Sequence, residues 1–190
     1  SKKHPIISVT GSSGAGTSTI RHTFEQIFRR EKVAAATIQG DAFHSFTREE
    51  MKRELDKRAE AGDDTFSHFS YDANDLKRLE QLFQTYGETG MGQMRHYVHD
   101  DAEAEKYGAS PGNFTAWRDF EPNTDLLLYE GLHGAVVNET VNIAQHADLK
   151  IGIVPVINLE WIQKIHRDKA SRGYSTEAVT DVILRRMHAY

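Results

Sequence analysis

The chain has 190 residues, 38% of them hydrophobic and 27% charged, with a formal net charge of -5 and no cysteine. This is ordinary globular composition, long enough to bury a core within one domain, and it argues against disordered or fibrous classes. The acidic balance gives no general attraction to nucleic acid or to an anionic membrane, and the missing thiols exclude disulfide frameworks, cysteine-zinc sites and thiol switches.

Taken in chain order, Ser1-Lys2-Lys3-His4-Pro5 carries no apolar export segment, so a cytoplasmic location is expected. Ile6 to Thr10 reads as a first strand, Ser18 to Arg30 as a helix and Ala34 to Gln39 as a second strand, together a βαβ unit. Thr47 with Glu50 three residues on is a capping-box pattern that opens a charged, largely solvated helix running to about Glu60. From Asn74 to Tyr86 the spacing of Leu76, Leu79, Leu82 and Phe83 predicts a helix with a core-facing stripe. Gly87 to Asn123 reads as loops and a hairpin, with one strand-like patch at Arg95 to His99.

Leu126 to Tyr129 is a continuous apolar run ending in Glu130-Gly131, as a central parallel strand buried on both faces should be. Leu149 to Ile157 predicts another buried strand, and no apolar run approaches the ~20 residues of a membrane helix. Asn158 is the expected N-cap of a helix to Arg172 that stops at Gly173, and a last helix from about Ser175 is still running at Tyr190. The expected architecture is therefore α/β, a mostly parallel sheet flanked by helices of the P-loop NTPase kind, in a single domain over residues 1–190 that lacks a C-terminal portion.

Gly11-Ser12-Ser13-Gly14-Ala15-Gly16-Thr17-Ser18-Thr19 follows the first strand and opens the first helix, the context that a phosphate-binding Walker A loop needs. Small residues let main-chain amides curl around a triphosphate, the helix start adds partial positive charge, and the Ser18 hydroxyl can ligate Mg²⁺. The lysine that usually precedes that serine is Thr17 here, so the loop supplies donors without a point charge. A glycine-rich turn without a ligand is the plain alternative; a dinucleotide fingerprint fails because Thr19 stands where its third glycine belongs.

Glu130, at the end of the apolar strand, occupies the place of a Walker B carboxylate, against the alternative of a strand-end acid in solvent. Asp41, just past the second strand, should face the sheet's carboxyl edge and is the candidate base for an acceptor hydroxyl; a turn-forming aspartate is the alternative. Lys164, Arg167 and Arg172 fall near helical spacing and could supply the missing positive charge or form a solvated basic face, and Arg185-Arg186 repeat the theme. His166-Arg167-Asp168 imitates a protein-kinase motif whose other parts are missing, and the ten histidines form no metal-ligand pattern.

Four stretches together closely resemble the bacterial-type phosphoribulokinases: G-S-S-G-A-G-T-S-T at 11–19, G-D-A-F-H at 40–44, Y-E-G-L-H-G at 129–134 and I-N-L-E-W-I-Q-K-I-H-R-D at 157–168. The resemblance covers essentially the whole chain. It implies phosphorylation of ribulose 5-phosphate at its C1 hydroxyl by Mg-ATP, for carbon fixation in the Calvin cycle. By the same resemblance Asp41 is the catalytic base, Glu130 the second acidic contact, and Ser18, Glu130 and Asp41 the groups around Mg²⁺. His44, Arg48, Tyr97 and His99 match positions holding the sugar phosphate, and Lys164 and Arg167 the basic pair supporting transfer. A homo-oligomer activated by NADH and opposed by AMP is also implied. Two rival readings stay open: another small-molecule kinase such as uridine kinase, and an ATP-binding regulatory module without catalysis. Arg48 and the Tyr97-x-His99 pair argue for a phosphorylated acceptor against the first, and Asp41 argues against the second.

Overall fold

The computed structural model describes residues 4–186, the side chains at 157, 171, 172 and 186 excepted. Expectations placed on the Arg172 and Arg186 side chains therefore lie outside the described residues. The chain divides into two compact units, residues 1–43, 76–96 and 116–154 in the first and 44–75, 97–115 and 155–190 in the second.

The first unit is built on a four-stranded sheet. Its strands are β1 (Ile6–Gly11), β2 (Ala35–Gln39), β5 (Leu126–Gly131) and β6 (Leu149–Ile153), in spatial order β2-β5-β1-β6 and all parallel. Parallel strands need crossover connections, and the helix α1 (Thr17–Glu31) supplies the one from β1 to β2, which lies one strand further across the sheet beyond β5. The central strand β5 is buried on both faces, with Leu127, Leu128 and Tyr129 each 0% exposed. Its apolar run explains this, since each such side chain gains ~1.5–3 kcal/mol on full burial. The helix α3 (Leu76–Thr89) lays its predicted leucine stripe, with Phe83 and Tyr86, into the larger of two apolar clusters, where Phe83 meets Tyr129 edge-on at 5.5 Å. A short antiparallel pair, β3 (Gln93–Met94) with β4 (Arg118–Asp119), is the hairpin-like feature of this unit.

The second unit holds α2 (Arg48–Glu60), α4 (Asp101–Tyr107), α5 (Ile157–Arg172) and α6 (Thr176–Arg186). The capping box of α2 is complete, with the Thr47 side chain accepting from the Glu50 amide and Glu50 returning to the Thr47 amide, and the helix buries no residue, as its charge predicts. Val179 and Ile183 of α6 are buried, and α5 and α6 pack on each other.

Four expectations are corrected. Arg95 to His99 is not a strand; Tyr97 makes only an isolated bridge to Phe114. The helix α4 lies where loops and a hairpin were expected: Asp100 caps it by accepting from the Glu103 amide, and Gly108 ends it in a left-handed conformation. It is short and buries nothing, so it has no apolar period to read. The β6 strand stops at Ile153 and is half exposed, because it ends the sheet and has β1 as a neighbour on one side only among the described residues. Finally, α5 begins at Ile157 with Val156 as N-cap, so Asn158 lies inside the first turn.

Candidate active site

Register places the first unit's predicted acids and loop along one edge of the sheet. Glu130 sits beside Val9 of β1 and Gln39 of β2. From there β1 runs two residues further, to Gly11, where the loop starts, and β2 ends at Gln39, directly before the turn that carries Asp41. Parallel strands converge their carboxyl ends, which is why the phosphate loop, Glu130 and Asp41 share an edge.

The loop from Gly11 to Thr19 adopts a conformation that two glycines permit: Gly14 and Gly16 have φ of 98° and 97°. The Ala15 amide donates to the Ser12 carbonyl at 3.0 Å, and Gly16 caps α1 through backbone only, accepting from the Thr19 and Ile20 amides at 3.1 and 3.3 Å. Ser18 and Thr19 are exposed on the first turn, while Thr17 is buried. Thr17, standing in the usual lysine position, turns its hydroxyl to Glu130 and donates to Oε1 at 2.5 Å. The Ser18 hydroxyl lies 3.5 Å from the same oxygen. The other carboxylate oxygen, Oε2, faces Arg21 Nε at 3.5 Å, a contact that sequence reasoning missed. Glu130 is therefore a buried carboxylate, 7% exposed, and not a solvated strand end. An oxygen-donor pair such as Ser18 and Glu130 has the chemistry that a hard, largely hydrated divalent cation takes.

Asp41 stands in a 3₁₀ turn over Gly40–Phe43 whose other members are anchored. Ala42 and Phe43 are buried, Arg95 Nε donates to the Ala42 carbonyl at 2.7 Å, and Phe43 packs on Trp117 at 5.8 Å. Trp117 in turn lies under the guanidinium groups of Arg78 and Arg95, at 3.8 and 4.7 Å. Beneath the turn is Tyr129. A Cβ on Gly40 would come within 2.6 Å of its hydroxyl, so only glycine allows this approach. Burial pushes the Tyr129 phenol far above its usual titration range, and the nearby charges of Asp41 and Glu130 add to the rise. The two carboxylates thus flank one neutral, fully buried phenol.

The second unit gathers the four residues matched to sugar-phosphate binding. His44 shares a hydrogen bond with Asn74 (Nδ1 to Oδ1, 2.8 Å) and meets Tyr97 edge-on at 5.6 Å. Tyr97 meets His99 at 5.0 Å, and Arg48 Nη2 donates to the His99 carbonyl at 2.7 Å. His68 joins this cluster, 6.1 Å from His44 and tilted against Phe69 at 4.0 Å; no sequence pattern singled it out. Lys164 and Arg167 also come together, on Asp168. Lys164 Nζ donates to Asp168 Oδ2 at 2.8 Å and Arg167 Nε to Oδ1 at 2.9 Å, with the Lys164 ammonium 5.6 Å from the Phe69 ring. Lys164 and Asp168 are 2% and 3% exposed, so Lys164 does not belong to a solvated basic face. Burial works to raise the Asp168 carboxyl, but the hydrogen bonds and charges of Lys164 and Arg167 outweigh it and hold it below the usual carboxylate range. Among the described residues no three acidic or histidine side chains cluster as a protein-only metal site, and no helix is long and apolar enough to cross a membrane.

Comparison with known proteins identifies the family and the fold. The family model described as "Phosphoribulokinase / Uridine kinase family" matches residues 6–190. "Phosphoribulokinase 1" of Cereibacter sphaeroides is 75% identical over 190 residues, covering 100% of this chain and 66% of the relative. The solved phosphoribulokinase from Rhodobacter spheroides superposes with a TM-score of 0.85 at 70% identity, covering 100% of this chain and 65% of that one. A putative fructose transport system kinase from a Silicibacter species shares the fold, with a TM-score of 0.70 at 14% identity over 100% of this chain and 83% of its own. The chain thus spans just under two thirds of the length of the phosphoribulokinases it matches.

Proposed function

The chain belongs to the phosphoribulokinase / uridine kinase family, and from that premise we propose that it transfers the γ-phosphoryl group of ATP to the C1 hydroxyl of ribulose 5-phosphate, giving ribulose 1,5-bisphosphate and ADP. The observation that carries the choice of acceptor is the cluster of His44, Arg48, Tyr97 and His99. A phosphorylated sugar needs cationic and hydroxyl donors for its phosphate, whereas a nucleoside offers no phosphate for them to hold.

In this reading the amides of residues 11–17 grip the triphosphate, which needs positioning and charge neutralisation more than covalent chemistry. Ser18 and Glu130 would hold Mg²⁺, with Asp41 beside them, and the ion when bound would supply charge neutralisation to the triphosphate. Asp41 accepts the proton of the C1 hydroxyl as its oxygen bonds to phosphorus and the bond to the β-bridging oxygen breaks. Lys164 and Arg167 balance negative charge on the group in transfer. Kinship supports the further expectations of a cytoplasmic homo-oligomer, activated by NADH and opposed by AMP.

The test is ATP consumption measured with ribulose 5-phosphate, with uridine and with no acceptor. Turnover with the sugar phosphate alone is the expected result. Comparable turnover with uridine would shift the assignment to a nucleoside kinase, and binding of ATP without turnover on any acceptor would leave the regulatory-module reading.

A further inference from the structure

We infer that Arg21 is a positioning residue for phosphoryl transfer: it fixes the Glu130 carboxylate from the side opposite the loop hydroxyls, supplying there the positive charge that the phosphate loop lacks. This rests on the phosphotransfer reading above and adds a residue to it.

Arg21 lies four residues after Thr17 and three after Ser18 in the first turns of α1, so it neighbours both on the helix surface. That surface divides the carboxylate between two kinds of partner. The Thr17 hydroxyl at 2.5 Å and the Ser18 hydroxyl at 3.5 Å meet Oε1, while Arg21 Nε meets Oε2 at 3.5 Å. The guanidinium is itself held. Its Nη1 donates to Glu25 Oε1 at 2.6 Å, its Nη2 lies 3.4 Å from His22 Nε2, and the side chain is only 16% exposed. Its Nε is buried and completes no hydrogen bond. Arg21 thus faces Glu130 as a nearby charge with an unspent donor, close enough to orient the carboxylate and too far to saturate it. A buried carboxylate left with two hydroxyls alone would lose the contact that sets its second oxygen, and small displacements at a phosphoryl-transfer site are costly in rate.

The experiment is a double-mutant cycle on the full-length protein with Arg21→Met, Glu130→Gln and the double variant, plus Arg21→Lys as the conservative replacement. Arg21→Met should lower kcat about 10–100-fold, the loss that a misplacement of about 1 Å brings. The KM for ATP should change little, and Arg21→Lys should restore most of the rate. In the Glu130→Gln background Arg21→Met should cost nothing more, because a residue that acts through another shows no effect once that other is gone. A full additional loss in that background, or wild-type kcat in Arg21→Met, overturns the inference.

A second measurement needs no acceptor. Titration of ADP with and without Mg²⁺ should show the metal's gain in affinity reduced in Arg21→Met and unaffected by Arg21→Met once Glu130 is glutamine; an undiminished gain in Arg21→Met counts against it. Failure of the wild type to phosphorylate ribulose 5-phosphate would overturn the function while this titration still decides on Arg21. Thermal unfolding monitors folding. Should Arg21→Met fail to fold, the same cycle is run with Arg21→Gln, in which the loss of rate is again expected and must vanish in the Glu130→Gln background.

Discussion

Each unit of the chain buries one carboxylate in its candidate site, and the two are compensated differently. Asp168, in the helical unit, has a lysine and an arginine at 2.8 and 2.9 Å, so its charge is fully met within the protein. Glu130, in the sheet unit, has two hydroxyls and one arginine that stands off at 3.5 Å and is shared with Glu25. A buried ion that is fully paired serves the fold, since removing one partner leaves the other uncompensated. A buried ion that is underpaired keeps capacity for another cation. The difference shows that similar burial can leave one carboxylate saturated by protein cations and another open to a further cation, as the proposed role of Glu130 requires.

The contrast can be tested from its strongest consequence downward. On the proposed function Asp41 is the base, and Asp41→Asn is expected to lower turnover by ~10²–10⁴-fold, the usual contribution of a general base, with nucleotide affinity little changed. Steady-state kinetics with a parallel ADP titration measures both, and near-normal turnover would remove Asp41 from its role.

Asp168→Asn should instead cost stability, about 3–5 kcal/mol at neutral pH, read from urea unfolding, because Lys164 would be left buried without its partner. Its pH dependence has a definite sign. The folded carboxyl is held below its ordinary value, so its contribution is present above the ordinary carboxylate range and is lost as pH falls through the folded value. The gap between wild type and Asp168→Asn should accordingly close on acidification, and a gap that is flat with pH would contradict the pairing.

Arg48→Ala comes next, raising the KM for the sugar phosphate by an amount equivalent to ~1.5–3 kcal/mol, the range for a hydrogen bond to a charged group. An unchanged KM would place the phosphate elsewhere. The smallest effect sharpens the contrast most. Glu130→Gln should leave unfolding stability within about 1 kcal/mol of the wild type, because an amide still accepts from Thr17 and Arg21 keeps Glu25. A destabilisation as large as that of Asp168→Asn would erase the distinction.

The sheet unit was the more legible of the two. An unbroken apolar run ending in Glu130-Gly131 can be little other than a central parallel strand, and the glycine-rich loop between strand and helix declares its geometry, so the sheet edge could be read before any coordinates. The helical unit resisted because its cluster is assembled from loops. His44, Arg48, Tyr97 and His99 obey no shared period, and it took a family resemblance to group them. Asp168 was visible only as part of a discarded motif, although a lysine four residues before an aspartate is an ordinary helical pair whose burial decides its importance. Arg21 had a signal that went unused, three residues beyond Ser18 on the face of the phosphate loop. For His68 no pattern in the sequence stands out.

The threonine in the phosphate loop has a chemical consequence for labelling. Nucleotide analogues that carry an acylating group on the terminal phosphate mark kinases by reacting with an amine beside that phosphate, and residues 11–19 contain none. Thr17 is moreover occupied with Glu130. Peptide mapping after such treatment should return the loop unmodified, so that any acylation beside the terminal phosphate falls outside residues 11–19, on Lys164 if the proposed function holds.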